Sequence, residues 1–218
     1  ENLKKEYPFK IEMHAHTSPV SGCSDVKPRE LVEIYKEHGY DAVVITNHLT
    51  DWSLRNFDLA EQKADYYLND YYEASKYGEE IGIKVLLGVE YRFRENYNDY
   101  LIYGIDKDLI SLLINYFDMG VVQFRKEIKL PNSVFIQAHP LRDGCELCAT
   151  DLPDGIETFN MHPNQKSQNA RMVRIAAQNN VYPAVLESWI KLYNANRELK
   201  DYCPKREVYM AEARRKTT

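Results

Sequence analysis

Four apolar runs, at residues 9–13, 42–46, 84–89 and 133–138, stop at or beside a side chain that can bind a cation: His14, the Asn47-His48 pair, Glu90 and His139. The second run, Ala42-Val43-Val44-Ile45-Thr46, is rich in β-branched residues and has no polar alternation, as expected of a strand buried on both faces in a parallel sheet. Stretches with helical spacing lie between the runs. Strands alternating with helices make a parallel sheet, and where such a sheet closes into a barrel the carboxyl ends of the strands share one mouth. The order of the elements therefore predicts an α/β barrel that gathers His14, His16, His48, Glu90 and His139 from distant parts of the chain.

The pair His14-Ala15-His16 at the end of the first run is informative only if that run is a strand. A strand repeats its side-chain direction every two residues, so both imidazoles project from one face and can grip one cation or two adjacent ones; on a helix they would diverge. Two histidines at this spacing are by themselves equally compatible with ordinary packing. The chain has six histidines, however, and four of them (His14, His16, His48 and His139) fall at or just past predicted strand ends. With Glu90 added, the donor set is nitrogen and oxygen without a thiolate, which suits zinc, manganese or iron.

The helical stretches read as packing elements. Pro28 opens one with Leu31, Ile34, Tyr35 and His38 on one face, stopped by Gly39. Residues 59–80 form a longer one carrying Ala64, Tyr67, Leu68, Tyr71 and Gly78, with no chemistry assigned to it. A strand is expected over 99–105, helices over 108–117 and 121–128, a strand over 155–159 ending at Asn160, a helix over 167–178, and a last strand over 181–186 ending at Glu187. The remainder is charged and tyrosine-rich, and helix or disorder is expected there.

With 218 residues, 44% of them hydrophobic, the chain can bury one substantial core, so a single domain is expected. A net charge of −5 leaves no basic field for stable nucleic-acid binding. Neither a membrane-spanning run nor a secretory signal is visible, and a cytoplasmic location is expected. The four cysteines suggest no disulfide framework, and Cys145-Glu146-Leu147-Cys148, lacking a second pair, is only half a zinc signal.

Taken in order, the motifs resemble those of the PHP family, the polymerase and histidinol phosphatase superfamily of metal-dependent phosphoesterases. They are His14-Ala15-His16-Thr17, Ile45-Thr46-Asn47-His48, Gly88-Val89-Glu90, Ala138-His139-Pro140 and Gly155-Ile156-Glu157-Thr158-Phe159-Asn160. The resemblance implies one domain over 1–218, with a distorted seven-stranded (β/α)7, TIM-like barrel over about residues 9–187 and a tail after it. It also implies two or three divalent metal ions, zinc, manganese or iron, with His14 and His16 on the first, Glu90 bridging, His139 on the second and His48 on a third. The implied reaction is hydrolysis of a phosphate ester of a small metabolite or nucleotide by a metal-activated hydroxide, as in histidinol phosphatases. Arg142, three residues past His139, either clamps the substrate phosphate, which guanidinium matches bidentately, or lies solvated in its loop.

Two places depart from the family pattern. A loop histidine of some relatives falls near Gly22, beside Cys23 and Asp25, and the closing Asp-x-His motif reads Glu187-Ser188-Trp189. Indole only donates, so Trp189 cannot ligate, and the expectation is two tightly held metals with a weak or empty third site. The alternatives are a degenerate metal-binding module and a hydrolase of the amidohydrolase type, which also begins with H-x-H.

Overall fold

A computed structural model describes residue 5, residues 8–140, and beyond them residues 142, 144–146, 148, 152–157 and 160. The chain divides into two compact units, Glu1–Phe135 and Ile136–Thr218.

In the first unit the described elements run β1 (Ile11–Ala15), α1 (Pro28–Glu37), β2 (Ala42–Ile45), β3 (His48–Leu49), α2 (Ala60–Ile81), β4 (Lys84–Arg92), β5 (Asp99–Tyr103), α3 (Lys107–Leu113) and α4 (Val121–Glu127). Their sheet order is β1-β2-β4-β5, with β3 also paired to β4. The pairings β1–β2 and β2–β4 are parallel, as the sequence predicts, and β3, a strand not expected from the sequence, also pairs in parallel with β4. β5, in contrast, runs antiparallel to β4, from Gly88↔Tyr103 to Arg92↔Asp99, so the sheet is mixed rather than wholly parallel.

All four residues of β2 are buried, as the β-branched run requires. Val43 and Ile45 pack with Ala15 and Val85 from the sheet, Leu31 and Val32 from α1 and Ala74 from α2. α2 ends where Gly82 takes φ +75°, a left-handed turn that costs a residue without a Cβ nothing, and the Gly82 N–H donates back to the Gly78 carbonyl. A second core is aromatic: Tyr91 stacks on Phe117 with ring centres 5.4 Å apart, and Tyr100 on Phe135 at 4.7 Å. Each such side chain contributes about 1.5–3 kcal/mol by leaving water. α3 begins at Asp106, whose carboxylate accepts from the Leu109 N–H, and stops at Leu113, short of the expected residue 117. Its last turn tightens into three-residue steps, the Asn115 N–H reaching the Leu112 carbonyl and the Tyr116 N–H that of Leu113. His38, expected to pack, is instead exposed just past α1, its Nδ1 2.8 Å from the Ile34 carbonyl.

β6 (Val134–Gln137) crosses into the second unit, where its Ile136 and Gln137 pair in parallel with Gly155 and Ile156 of β7 (Gly155–Ile156). The buried Gln137 amide holds the following loop, donating to the Glu146 carbonyl at 2.6 Å and accepting from the Cys148 N–H at 3.0 Å. The expected helix over 167–178, the strand over 181–186, Glu187, Trp189 and the tail lie outside the described residues. Among the described residues no helix is long and apolar enough to cross a membrane.

Candidate metal centre

Three of the first unit's strands bring the predicted ligands together. His14 stands in β1 with His16 just beyond it, His48 opens β3, and Glu90 faces His48 in the β3–β4 ladder. Glu90 is therefore inside a strand rather than at its end, because β4 continues through Arg92. Its side chain is 1% exposed, and one oxygen, Oε2, lies 3.4 Å from His14 Nε2, 3.2 Å from His16 Nε2 and 2.9 Å from His48 Nδ1. The rings are adjacent, His14 to His16 at 5.0 Å between centres and His16 to His48 at 4.6 Å. Three imidazole nitrogens turned onto one buried carboxylate oxygen need positive charge among them, either protons or a metal ion. A divalent cation fits this donor set.

The same geometry divides the protons. Burial holds His16 below its ordinary pKa, and Glu90 only partly offsets it. Burial acts on His48 in the same direction but is outweighed by the Glu90 carboxylate and by Cys23, so His48 is pushed up to about 10. In the metal-free protein His48 thus carries the cation that neutralises Glu90, and His16 stays neutral.

Beneath the ligands lies a buried polar network absent from the sequence reading. Thr17, Ser21, Asn47 and Asp70 are all buried. Asn47 Oδ1 accepts from the Thr17 N–H at 2.7 Å and from Ser21 Oγ at 2.9 Å, and its Nδ2 donates to Thr17 Oγ1 at 2.7 Å. Thr17 Oγ1 donates in turn to Asp70 Oδ2 at 2.8 Å. Ser21 Oγ also accepts from the His48 N–H at 2.8 Å and lies 3.2 Å from His16 Nδ1. A hydroxyl has one proton, and here it goes to Asn47 Oδ1. Ser21 must therefore accept from His16, which fixes the proton on Nδ1 and leaves the Nε2 lone pair directed towards Glu90 and any bound cation. On the other side, Glu12 Oε1 accepts from the His14 N–H at 3.0 Å.

Two further groups stand close by. His16, Cys23 and His48 each offer a ligand atom within 4.8 Å of the others, so His48, expected to lack a sure partner, has Glu90 and Cys23 beside it. Asp99 is within similar reach of His48 and Glu90, but Arg92 engages it bidentately at 2.6 and 2.7 Å. An open cleft of about 770 Å³ is lined by His48, Cys23, Arg92, Arg94, Trp52 and Tyr97 among others.

In the second unit His139 is buried and takes φ +23°, uncommon for a residue other than glycine. Its N–H donates to Glu157 Oε2 at 2.7 Å, and Asn160 Nδ2 reaches both Glu157 oxygens, at 3.2 and 3.1 Å. Arg142 Nη1 lies 3.4 Å from His139 Nε2. The predicted ligand and the predicted phosphate clamp are thus neighbours, supported by the residues of the fifth motif.

A cluster of histidines around a buried carboxylate, carried on a largely parallel sheet, is a donor set for a divalent cation in an α/β protein. The chain belongs to the PHP domain family, whose description matches residues 12–215. Among curated proteins none matches the sequence. Of solved structures, a protein from Bifidobacterium adolescentis assigned as a metal-dependent phosphoesterase is 18% identical with a TM-score of 0.48, covering 79% of this chain and 85% of its own. An amidohydrolase from Chromobacterium violaceum, with bound SO4 and no metal, is 19% identical with a TM-score of 0.34 and covers 45% of this chain, which spans 28% of that protein's length.

Proposed function

We propose that this protein is a metal-dependent phosphoesterase that hydrolyses the phosphate ester of a small metabolite or nucleotide. The observation that carries the reading is the convergence of His14, His16 and His48 on the single buried oxygen Glu90 Oε2, with His48 also lining an open cleft. His14, His16, His48 and Glu90 would hold zinc, manganese or iron, and His139, in the second unit, is proposed as a metal ligand as well. Bound cations would lower the pKa of water, polarise the phosphoryl oxygens and offset the charge of the transition state. The chain's own residues do the rest. Ser21 and Asn47 fix the tautomer and orientation of His16, and Asp70 anchors Thr17 beneath them. Arg92 and Arg94 also line the cleft, but Asp99 holds the first and Asp51 and Asp118 hold the second, so an anionic substrate depends on the bound cations for most of its charge compensation. Arg142 beside His139 is proposed as a phosphate clamp. Closure of the sheet into a distorted seven-stranded barrel, by the strand expected over 181–186, and a cytoplasmic setting belong to the same reading.

The test is a panel of small phosphoesters offered to metal-stripped protein and to protein reloaded with zinc, manganese or iron. Hydrolysis by the reloaded protein alone is expected. No hydrolysis with any of the metals would refute the reading.

A further inference from the structure

We propose that Cys23 is a thiolate ligand, holding a metal ion together with His16 and His48 and making this edge of the centre selective for zinc over manganese. The inference deepens the metal-centre reading given above and rests on it.

The three ligand atoms lie within 4.8 Å of one another, whereas ligand atoms around a tetrahedral zinc stand roughly 3.5 Å apart. The remaining adjustment is available to Cys23, an exposed side chain on a loop. That loop is not placed at random. Its neighbour Ser21 bonds the His48 N–H, Asn47 and His16, while the Ser21 N–H donates to the Thr17 carbonyl and the Ser24 N–H to the Ser21 carbonyl. The hydrogen bonds that orient the two histidines therefore also bring Cys23 up to them.

Charge argues for the same assignment. In this half of the centre Glu90 supplies one negative charge to the three imidazoles, and a divalent cation carries two. A thiolate provides the second. When the metal binds, the Cys23 S–H and the protonated His48 ring each release a proton to solvent, the sulfur and imidazole lone pairs are donated to the cation, and no oxidant or reductant is required. Thiolate is a soft donor that favours zinc, cobalt and cadmium over manganese or magnesium. Cys23 and His48 also line the cleft, so an ion held between them faces arriving substrate.

Two measurements on the full chain test the proposal without relying on activity. Metal-stripped protein titrated with Co²⁺ is expected to develop a near-ultraviolet thiolate-to-cobalt charge-transfer band that is kept in Cys145→Ser and Cys148→Ser and lost in Cys23→Ser. In the unaltered protein, alkylation of Cys23 by iodoacetamide, mapped by peptide mass, is expected to slow roughly tenfold or more on adding Zn²⁺ and much less on adding Mn²⁺, because a coordinated thiolate is a poor nucleophile. A band that persists in Cys23→Ser, or a Cys23 alkylation rate indifferent to Zn²⁺, would overturn the proposal. The second measurement needs no variant and so does not depend on Cys23→Ser folding. Phosphoester hydrolysis without the Cys23 signals would refute the thiolate and leave the proposed function standing; the Cys23 signals without hydrolysis would do the reverse.

Discussion

Replacing Ser21 with alanine tests whether the buried network tunes the metal centre or merely fills space. Ser21 is fully buried, and its Oγ lies 2.8 Å from the His48 N–H, 2.9 Å from Asn47 Oδ1 and 3.2 Å from His16 Nδ1. Alanine strands two donors, the His48 N–H and the His16 Nδ1–H, whereas Asn47 Oδ1 keeps the Thr17 N–H at 2.7 Å. Each stranded buried donor costs about 1–3 kcal/mol; since His16 is 19% exposed and water can compensate part of its loss, the expected total is about 2–4 kcal/mol. Loss of the Nδ1–H acceptor also frees the His16 tautomer, and removing such support typically weakens metal affinity about 10–100-fold. Urea unfolding of metal-free protein reads the first effect, and zinc titration against a chromophoric chelator reads the second. Nitrogen NMR of His16 should show a single Nδ1–H tautomer in the parent and a mixture in Ser21→Ala. A loss of stability with zinc affinity within about twofold of the parent would refute the tautomer argument and leave Ser21 a structural residue.

Glu90→Ala is expected to lower metal content, measured by elemental analysis, more than loss of any one histidine, because Glu90 Oε2 faces all three; full metal in Glu90→Ala with loss in His14→Ala would contradict this. In metal-free protein His48, raised from 6.5 to about 10, contributes stability that is complete below pH 6.5 and disappears as pH rises through about 10, while the lowered His16 contributes stability that is present above 6.5 and fades as pH falls below it. The urea midpoint should therefore fall on both sides of neutrality, and an alkaline slope unchanged in His48→Gln would exclude that histidine as its source. Gly88→Ala would place a Cβ 2.8 Å from Thr46 Cγ2 and 2.9 Å from Val44 Cγ1, and overpacking of this kind should cost about 1–3 kcal/mol in urea unfolding; an unchanged midpoint would show that β2 and β4 can separate freely. Arg142→Ala should raise KM or lower kcat/KM with metal content untouched, and unaltered kinetics would remove Arg142 from the site.

What could be read from the sequence was whatever repeats. β2 announced itself through an unbroken β-branched run, and His14 and His16 share a face as a strand's two-residue period requires. The antiparallel turn from β4 to β5 was legible too, though by a different rule. Only residues 93–98 separate the two strands, whereas a parallel crossover needs a dozen residues or more, so this connection had to be a hairpin.

The polar network under the site obeys no such period. Its members come from positions 17, 21, 47 and 70, and each is specified by the others rather than by its neighbours in sequence. The loop from Thr17 to Asp25 reads as turn-forming residues of no particular role until Asn47 and Asp70 are set beside it. Cys23, which the sequence sets beside the place of a loop histidine of some relatives, reaches His48 because Ser21 fastens its loop there. Asp70 is the exception that could have been found. It lies three residues after Tyr67 and four before Ala74, all three buried, so a carboxylate occupies the apolar stripe of α2. A buried carboxylate must have donors, and the packing pattern of α2 offers none. The helix that looked purely structural therefore had to reach polar groups elsewhere, and it reaches Thr17, which follows His14 and His16, and Asn47, which precedes His48.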